Sequence, residues 1–290
     1  MNPQVKTFHD PVTSTFTHVV YDSAGGHAAI VDPVLDYDAA SARTSTASAD
    51  EVLAFVRAQS LTVEWILETH AHADHLTAAS YLKHETGARV AIGKGITGVQ
   101  ARFKTLFGLG ADFEANGSQF DRLLSEGEQI QVGALTVDVI ATPGHTDDSL
   151  TYVIGDAAFV GDTVFGPAAG TARADFPGGD ASTLYQSIQR LLGLPENTRL
   201  FLCHDYPQAG EAPRAESSPS EQRSKNIHIG GGTDQSTFVA LRNTRDATLP
   251  SPRLILPALQ VNIRAGELPQ PDANGIRYLR LPVNQIGSKQ

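Results

Sequence analysis

Apolar and polar residues alternate along the chain with two periods, and each change of period marks an element. Thr15-Phe16-Thr17-His18-Val19-Val20-Tyr21 and His27-Ala28-Ala29-Ile30-Val31 are rich in β-branched and aromatic residues. They flank Ser23-Ala24-Gly25-Gly26, so the spacing predicts an N-terminal hairpin. Asp36 to Ser48 is polar and reads as a loop. Asp50 then stands as an N-cap for a helix to about Gln59, with Val52, Leu53 and Val56 on its inner face. Thr62 to Thr69 predicts a strand, Leu76 to Glu85 a helix, and Arg89 to Ile92 a short strand. A helix is expected near Val99 to Leu106.

Two further hairpins follow from Gly133-Ala134 and Gly155-Asp156, each lying between apolar runs, Gln129 to Ile140 and Leu150 to Val160. Leu184, Ile188, Leu191 and Leu192 share one face of a helix over Ala181 to Leu192. Leu200 to Cys203 reads as a buried strand and Gln208 to Ser220 as a polar loop. Helices are expected over Ser220 to Asn226 and Asp234 to Thr244. Two halves of hairpin-then-helix character imply two sheets face to face with helices outside, an α/β arrangement in one domain. That domain covers residues 1–290, with an extended Pro-rich tail over about 250–290.

Composition narrows the function classes. The balance of 22 basic and 32 acidic residues gives −10, without a basic stripe, which argues against a nucleic-acid partner. No apolar run approaches the roughly 20 residues of a membrane span. Met1 to Asp10 lacks a secretion signal, and Cys203 is the single cysteine; both fit a cytoplasmic location.

The chemistry concentrates in His70-Ala71-His72-Ala73-Asp74-His75, directly after the predicted strand ending at Thr69. Imidazoles and carboxylates at this density are good ligands for a divalent metal. His145, Asp162 and His204 are candidates of the same kind, each close behind an apolar strand. Four strand ends would thus deliver ligands to one sheet edge. The remaining histidines, His9, His18, His27, His84 and His228, read as ordinary core or surface residues. Asp74 has a competing reading as the N-cap of the following helix.

The ordered set HxHxDH, His, Asp, His resembles the metallo-β-lactamase superfamily, which implies its αββα sandwich of two mixed sheets. The ligand set alone leaves two chemistries open. With all positions engaged and Asp162 bridging, two Zn(II) per chain suit hydrolysis. With His70, His145 and Asp162 alone, a two-His-one-carboxylate face suits one Fe(II) and O2.

The rest of the chain is similar to the persulfide dioxygenase, ETHE1-like, branch of that superfamily. The resemblance rests on Phe8 to Thr17, Ile30 to Val34, Ala73 before Asp74, Arg173-Ala174-Asp175-Phe176, His204-Asp205-Tyr206 and Glu221 to Asn226. It implies Fe(II)- and O2-dependent oxidation of glutathione persulfide, or a similar small persulfide, to sulfite and glutathione, in sulfide oxidation and detoxification. It implies iron on His70, His145 and Asp162, with His72, Asp74, His75 and His204 as a supporting set around the second metal position. It places Tyr206 and Arg223 near substrate, where Arg223 would pair with a carboxylate, and it implies a homodimer. Arg173 and Asp175 read as an ion pair bracing the site loop. One departure is visible: Ala169-Gly170-Thr171-Ala172-Arg173 lacks the cysteine common in that loop. A glyoxalase II-like dinuclear thioester hydrolase is the rival reading.

Overall fold

Successive side chains of a strand lie on opposite faces, and in His27–Val31 both faces are buried. Ala28 and Ile30 pack into one core, Ala29 and Val31 into another. A strand buried on both sides needs a layer on each. The computed structural model, which describes residues 2–207 and 210–286, supplies them.

In chain order the N-terminal half is β1 (Gln4–Asp10), β2 (Thr15–Tyr21), β3 (His27–Val31), β4 (Val34–Asp38), β5 (Arg43–Ser45), α1 (Ala47–Ala58), β6 (Thr62–Leu67), β7 (Leu76–Thr77), α2 (Ala79–Thr86), β8 (Arg89–Gly93), α3 (Ile96–Leu106) and β9 (Arg122–Leu124). The C-terminal half is β10 (Gln129–Val132), β11 (Leu135–Ala141), β12 (Leu150–Ile154), β13 (Ala157–Phe159), α4 (Ala181–Leu192), β14 (Arg199–Phe201), β15 (Glu216–Ser217), α5 (Pro219–Lys225), α6 (Gln235–Asp246) and α7 (Ile255–Asn262). The strands form two mixed six-stranded sheets, ordered β1-β2-β3-β6-β8-β9 and β10-β11-β12-β13-β14-β15. A small ribbon, β5-β4-β7, lies beside them.

The two sheets face each other across a core in which Val20, Val31, Trp65 and Leu67 meet Val137, Val139, Tyr152 and Phe159. Helices α1, α2, α3 and α7 cover the outer face of the first sheet, burying Val52, Leu53, Leu82, Phe103 and Leu259 against Ile30, Ile66 and Val90. Helix α4 covers the second, with Leu184, Ile188 and Leu191 against Ala158, Val160 and Leu200. Asp180 caps it, accepting from the Thr183 amide at 2.7 Å. Each of these fully buried aliphatic side chains contributes about 1.5–3 kcal/mol. The αββα sandwich expected from the sequence is the fold observed.

Four expectations are corrected. Asp36 to Ser48 is a polar ribbon rather than a loop: Asp36 pairs with Ser45 and Asp38 with Arg43, at an edge with little apolar burial to betray it. Thr46, not Asp50, precedes α1; Asp50 lies in the first turn and accepts from the Tyr81 hydroxyl at 2.6 Å. Leu76 begins a two-residue strand, and the helix starts only at Ala79. The tail is not extended throughout, because α7 buries Ile255, Ala258, Leu259 and Asn262. Pro257 falls in the first turn of α7, where a helical amide has no intrahelical acceptor and proline is tolerated.

Candidate metal centre

The four clustered candidates, His70, His72, Asp74 and His75, follow β6, and β11, β13 and β14 deliver His145, Asp162 and His204 to the same end of the sandwich. His70, His72, His75, His145, Asp162 and His204 are all buried. Tight packing behind the loops leaves no latitude in their course. A Cβ on Gly144, at φ +134°, would lie 2.3 Å from the Leu184 backbone; one on Gly161, at φ +51°, would lie 2.7 Å from the Thr69 hydroxyl.

The donor atoms fall into two groups that share Asp162. Asp162 Oδ2 lies 3.6 Å from His145 Nε2 and 3.9 Å from His70 Nε2. Asp162 Oδ1 lies 3.4 Å from His204 Nε2, which is 3.2 Å from Asp74 Oδ2. One candidate ligand set is His70, His145 and Asp162; another is His72, Asp74, His75 and His204. Among the described residues, His70 Nε2, His72 Nδ1, His75 Nε2, His204 Nε2, Asp74 Oδ2 and Asp162 Oδ1 are buried without a hydrogen-bond partner. Such orphaned atoms are costly, and a cation held by either group would satisfy those that face it. The donor set therefore fits a metal. Asp74 does not cap α2, which starts at Ala79; its carboxylate turns to His75 and His204 instead.

The outward nitrogens determine which ring atom is free to ligate. His145 Nδ1 donates to the Arg173 carbonyl at 2.8 Å, and His204 Nδ1 to the Ser14 carbonyl at 3.1 Å. A carbonyl only accepts, so Nδ1 of each ring carries a proton and Nε2 is the atom turned to the site. The Thr69 hydroxyl donates to Asp32 Oδ2 at 2.9 Å and so accepts from His70 Nδ1 at 3.1 Å. His72 donates Nε2–H to Asp32 Oδ1 at 3.0 Å, leaving Nδ1 free. Partners of this kind orient ligands and raise their basicity. Burial, reinforced by the neighbouring imidazoles, holds His70 and His72 well below the ordinary histidine range, and so in the neutral, ligating form. His204 behaves oppositely. Burial opposes its protonation, but Asp74 and Asp162 outweigh burial and raise it.

Several of these supports were not anticipated. Asp32, at φ +49°, receives the Thr69 amide at 2.8 Å as well as the Thr69 and His72 side chains. Asp148 accepts from the Ala71 amide at 2.9 Å. Burial, then the Asp32 charge, pushes the Glu68 carboxyl well above the usual range. Asn262 of α7 donates to the carbonyls of His72 and His75 at 2.7 and 2.8 Å. Asp32 obeys the same rule that found the other ligands, being the first polar residue after an apolar strand; Asn262 carries no such signal.

A cavity of about 590 Å³ opens onto His145, Asp162 and Asp74. Tyr206 lines it and stacks on His204, with centroids 6.0 Å apart and planes at 15°. Arg173 grips Asp175 at 2.6 and 2.8 Å, and its third nitrogen reaches the Pro250 carbonyl at 2.7 Å. Arg223 does not meet the cavity, against the sequence expectation. It leaves α5 toward the end of α4, where it donates to the Leu192 carbonyl and meets Glu196; unpaired carbonyls at a helix C-terminus attract cations. Cys203 is buried, and burial, with Asp32 and Asp162 nearby, pushes its thiol well above the ordinary value, so no reactive thiolate is favoured.

Comparison with known proteins agrees with this geometry. The metallo-beta-lactamase superfamily matches residues 11–204. A "beta-lactamase hydrolase-like protein" of Xylella fastidiosa is 53% identical over 98% of this chain, which spans 65% of that relative's length. A "probable metallo-hydrolase" of Burkholderia pseudomallei is 50% identical, over 97% of this chain and 99% of its own. The crystal structure of ETHE1 from Myxococcus xanthus superimposes with a TM-score of 0.72 at 31% identity, covering 91% of this chain and 100% of that one.

Proposed function

We propose that this chain, which belongs to the metallo-beta-lactamase superfamily, is a persulfide dioxygenase that converts glutathione persulfide, O2 and water to glutathione and sulfite. The observation that carries the reading is the two-His-one-carboxylate face of His70, His145 and Asp162, two of whose members border the cavity. Such a face with open positions suits non-haem Fe(II). The likeness to ETHE1 supports the same branch.

When bound, one Fe(II) per chain would supply the redox chemistry between a persulfide sulfur and O2. The chain's own residues do the rest. His70 and His145 turn Nε2 toward the site because Thr69 and the Arg173 carbonyl accept from their Nδ1–H groups. Asp162 supplies the anionic ligand. Phe165, Phe176 and Tyr206 give the cavity an aromatic wall for the reacting sulfur; Phe176 stands edge-on to His145 at 5.0 Å and Phe165 edge-on to Tyr206 at 5.7 Å. Holding both reactants in one cavity replaces an encounter with a positioned reaction. Arg173 and Asp175, pinned to Pro250, brace the carbonyl that orients His145.

A second reading has its own support. Asp162 turns one oxygen to each ligand group, as a bridging carboxylate does, and the relatives above carry hydrolase names. A glyoxalase II-like hydrolase with two Zn(II) would use that arrangement. Replacing Asp162 with Ala separates the assignments from an incidental site. The variant should lose bound iron and O2 uptake on glutathione persulfide; full uptake by it would sink the proposal.

A further inference from the structure

Four guanidinium groups border the cavity of a chain whose formal charge is −10: Arg173, Arg242, Arg245 and Arg253. Two are committed. Arg173 holds Asp175, and the buried Arg242 is paired with Asp246 and donates to the Thr171 carbonyl at 3.0 Å. Arg245 and Arg253 are different. Both are exposed at the cavity, and neither makes an ion pair or side-chain hydrogen bond among the described residues. Their backbones are nonetheless fixed. Arg245 stands in the last turn of α6. Arg253 lies on a segment tied down by Arg173 at Pro250 and by the Ala258 amide, which donates to the Leu254 carbonyl at 2.8 Å. An acidic protein has thus placed two uncommitted cations on rigid supports, in the same cavity as its metal ligands.

We infer that Arg245 and Arg253 are the specificity-determining residues of this cavity, each receiving one carboxylate of a thiol carrier whose sulfur lies at the metal centre. The inference rests on the functional reading above and sharpens it: the favoured substrates are persulfides on a carrier with two separated carboxylates. A planar guanidinium matches a carboxylate through two parallel N–H donors, which a lysine or a neutral residue does not reproduce. Carriers with a single carboxylate, such as free cysteine, satisfy only one of the two cations. The paired Arg173 and Arg242 form the wall behind and need not meet substrate.

The test uses binding rather than turnover. Glutathione carries the thiol and both carboxylates but not the reactive outer sulfur. Its affinity for the metal-loaded protein is measured anaerobically by calorimetry, beside that of its dimethyl ester. Arg245→Glu and Arg253→Glu should each weaken glutathione binding roughly tenfold or more, while ester binding, already weak, changes little. Both sites are exposed, so the melting temperature should stay near that of the parent. Equal binding of glutathione by parent and variants, or equal binding of the acid and the ester by the parent, overturns the inference. Oxygen uptake is recorded on the same preparations. Arginine-dependent binding without uptake would overturn the dioxygenase reading and leave the carboxylate subsite standing; uptake with arginine-independent binding would do the reverse.

Discussion

Asn262 holds His72 by its backbone: the Asn262 amide donates to the His72 carbonyl at 2.7 Å, across 190 positions of sequence. The same amide reaches the His75 carbonyl at 2.8 Å, and its oxygen accepts from the Thr77 amide at 2.8 Å. One side chain in the C-terminal segment therefore pins the middle and the far end of the loop that carries the clustered ligands. Replacing Asn262 with Ala leaves three buried backbone groups unpaired, at about 1–3 kcal/mol each. Metal affinity should fall roughly ten- to a hundredfold, the usual cost of losing a ligand's support. Metal titration and thermal unfolding of the variant check this. Parent-like metal affinity would show that the contact is incidental.

The Thr142-Pro143-Gly144-His145 turn has no room for a side chain at Gly144. A Cβ there meets Leu184 backbone atoms at 2.3 Å, and φ is +134°. Gly144→Ala must push the turn from α4 and carry His145 with it. Destabilisation of about 2 kcal/mol or more is expected, with loss of bound metal at temperatures where the variant is still folded. Circular dichroism melting and metal content measure the two effects separately.

Acid should weaken the fold through His18. Burial pulls this imidazole from 6.5 down to about 4, against the opposing bond to the Leu202 carbonyl. Below pH 6.5 the unfolded chain takes up a proton that the folded chain refuses until about pH 4. The unfolded state binds more protons in that window, so stability falls as pH falls through it. The shift corresponds to roughly 3 kcal/mol. His228, pulled to about 4 by burial and then by Arg242, adds to the same slope. In urea unfolding, the stability gap between the parent and His18→Gln should narrow by roughly 2–3 kcal/mol between pH 7 and pH 4.5. A gap independent of pH would refute this origin.

The layers of the sandwich were legible because its strands and helices bury clean stripes. Ile130, Val132, Leu135, Val137 and Val139 alternate with polar residues, and Leu184, Ile188 and Leu191 recur at helical spacing. The metal-binding groups were legible for a related reason: polar ligands immediately follow apolar strands. What escaped were features without a local signature. β5, Arg43–Ser45, is exposed along its whole length and carries no apolar residue to alternate. Helix α7 was hidden by Pro257 within it and by Pro250 and Pro252 before it, and Asn262 with it. Arg223 and Arg245 are both helical arginines, and nothing near either in sequence tells which one faces the cavity; only the packing of α5 against α4, and of α6 beside the cavity, separates them.

The central claim is tested most directly by measuring metal content, O2 uptake and sulfite release together on one purified preparation given glutathione persulfide. The account predicts one iron per chain, with O2 consumed and sulfite formed in equal amounts. Two zinc ions per chain, with thioester hydrolysis and no O2 uptake, would contradict it.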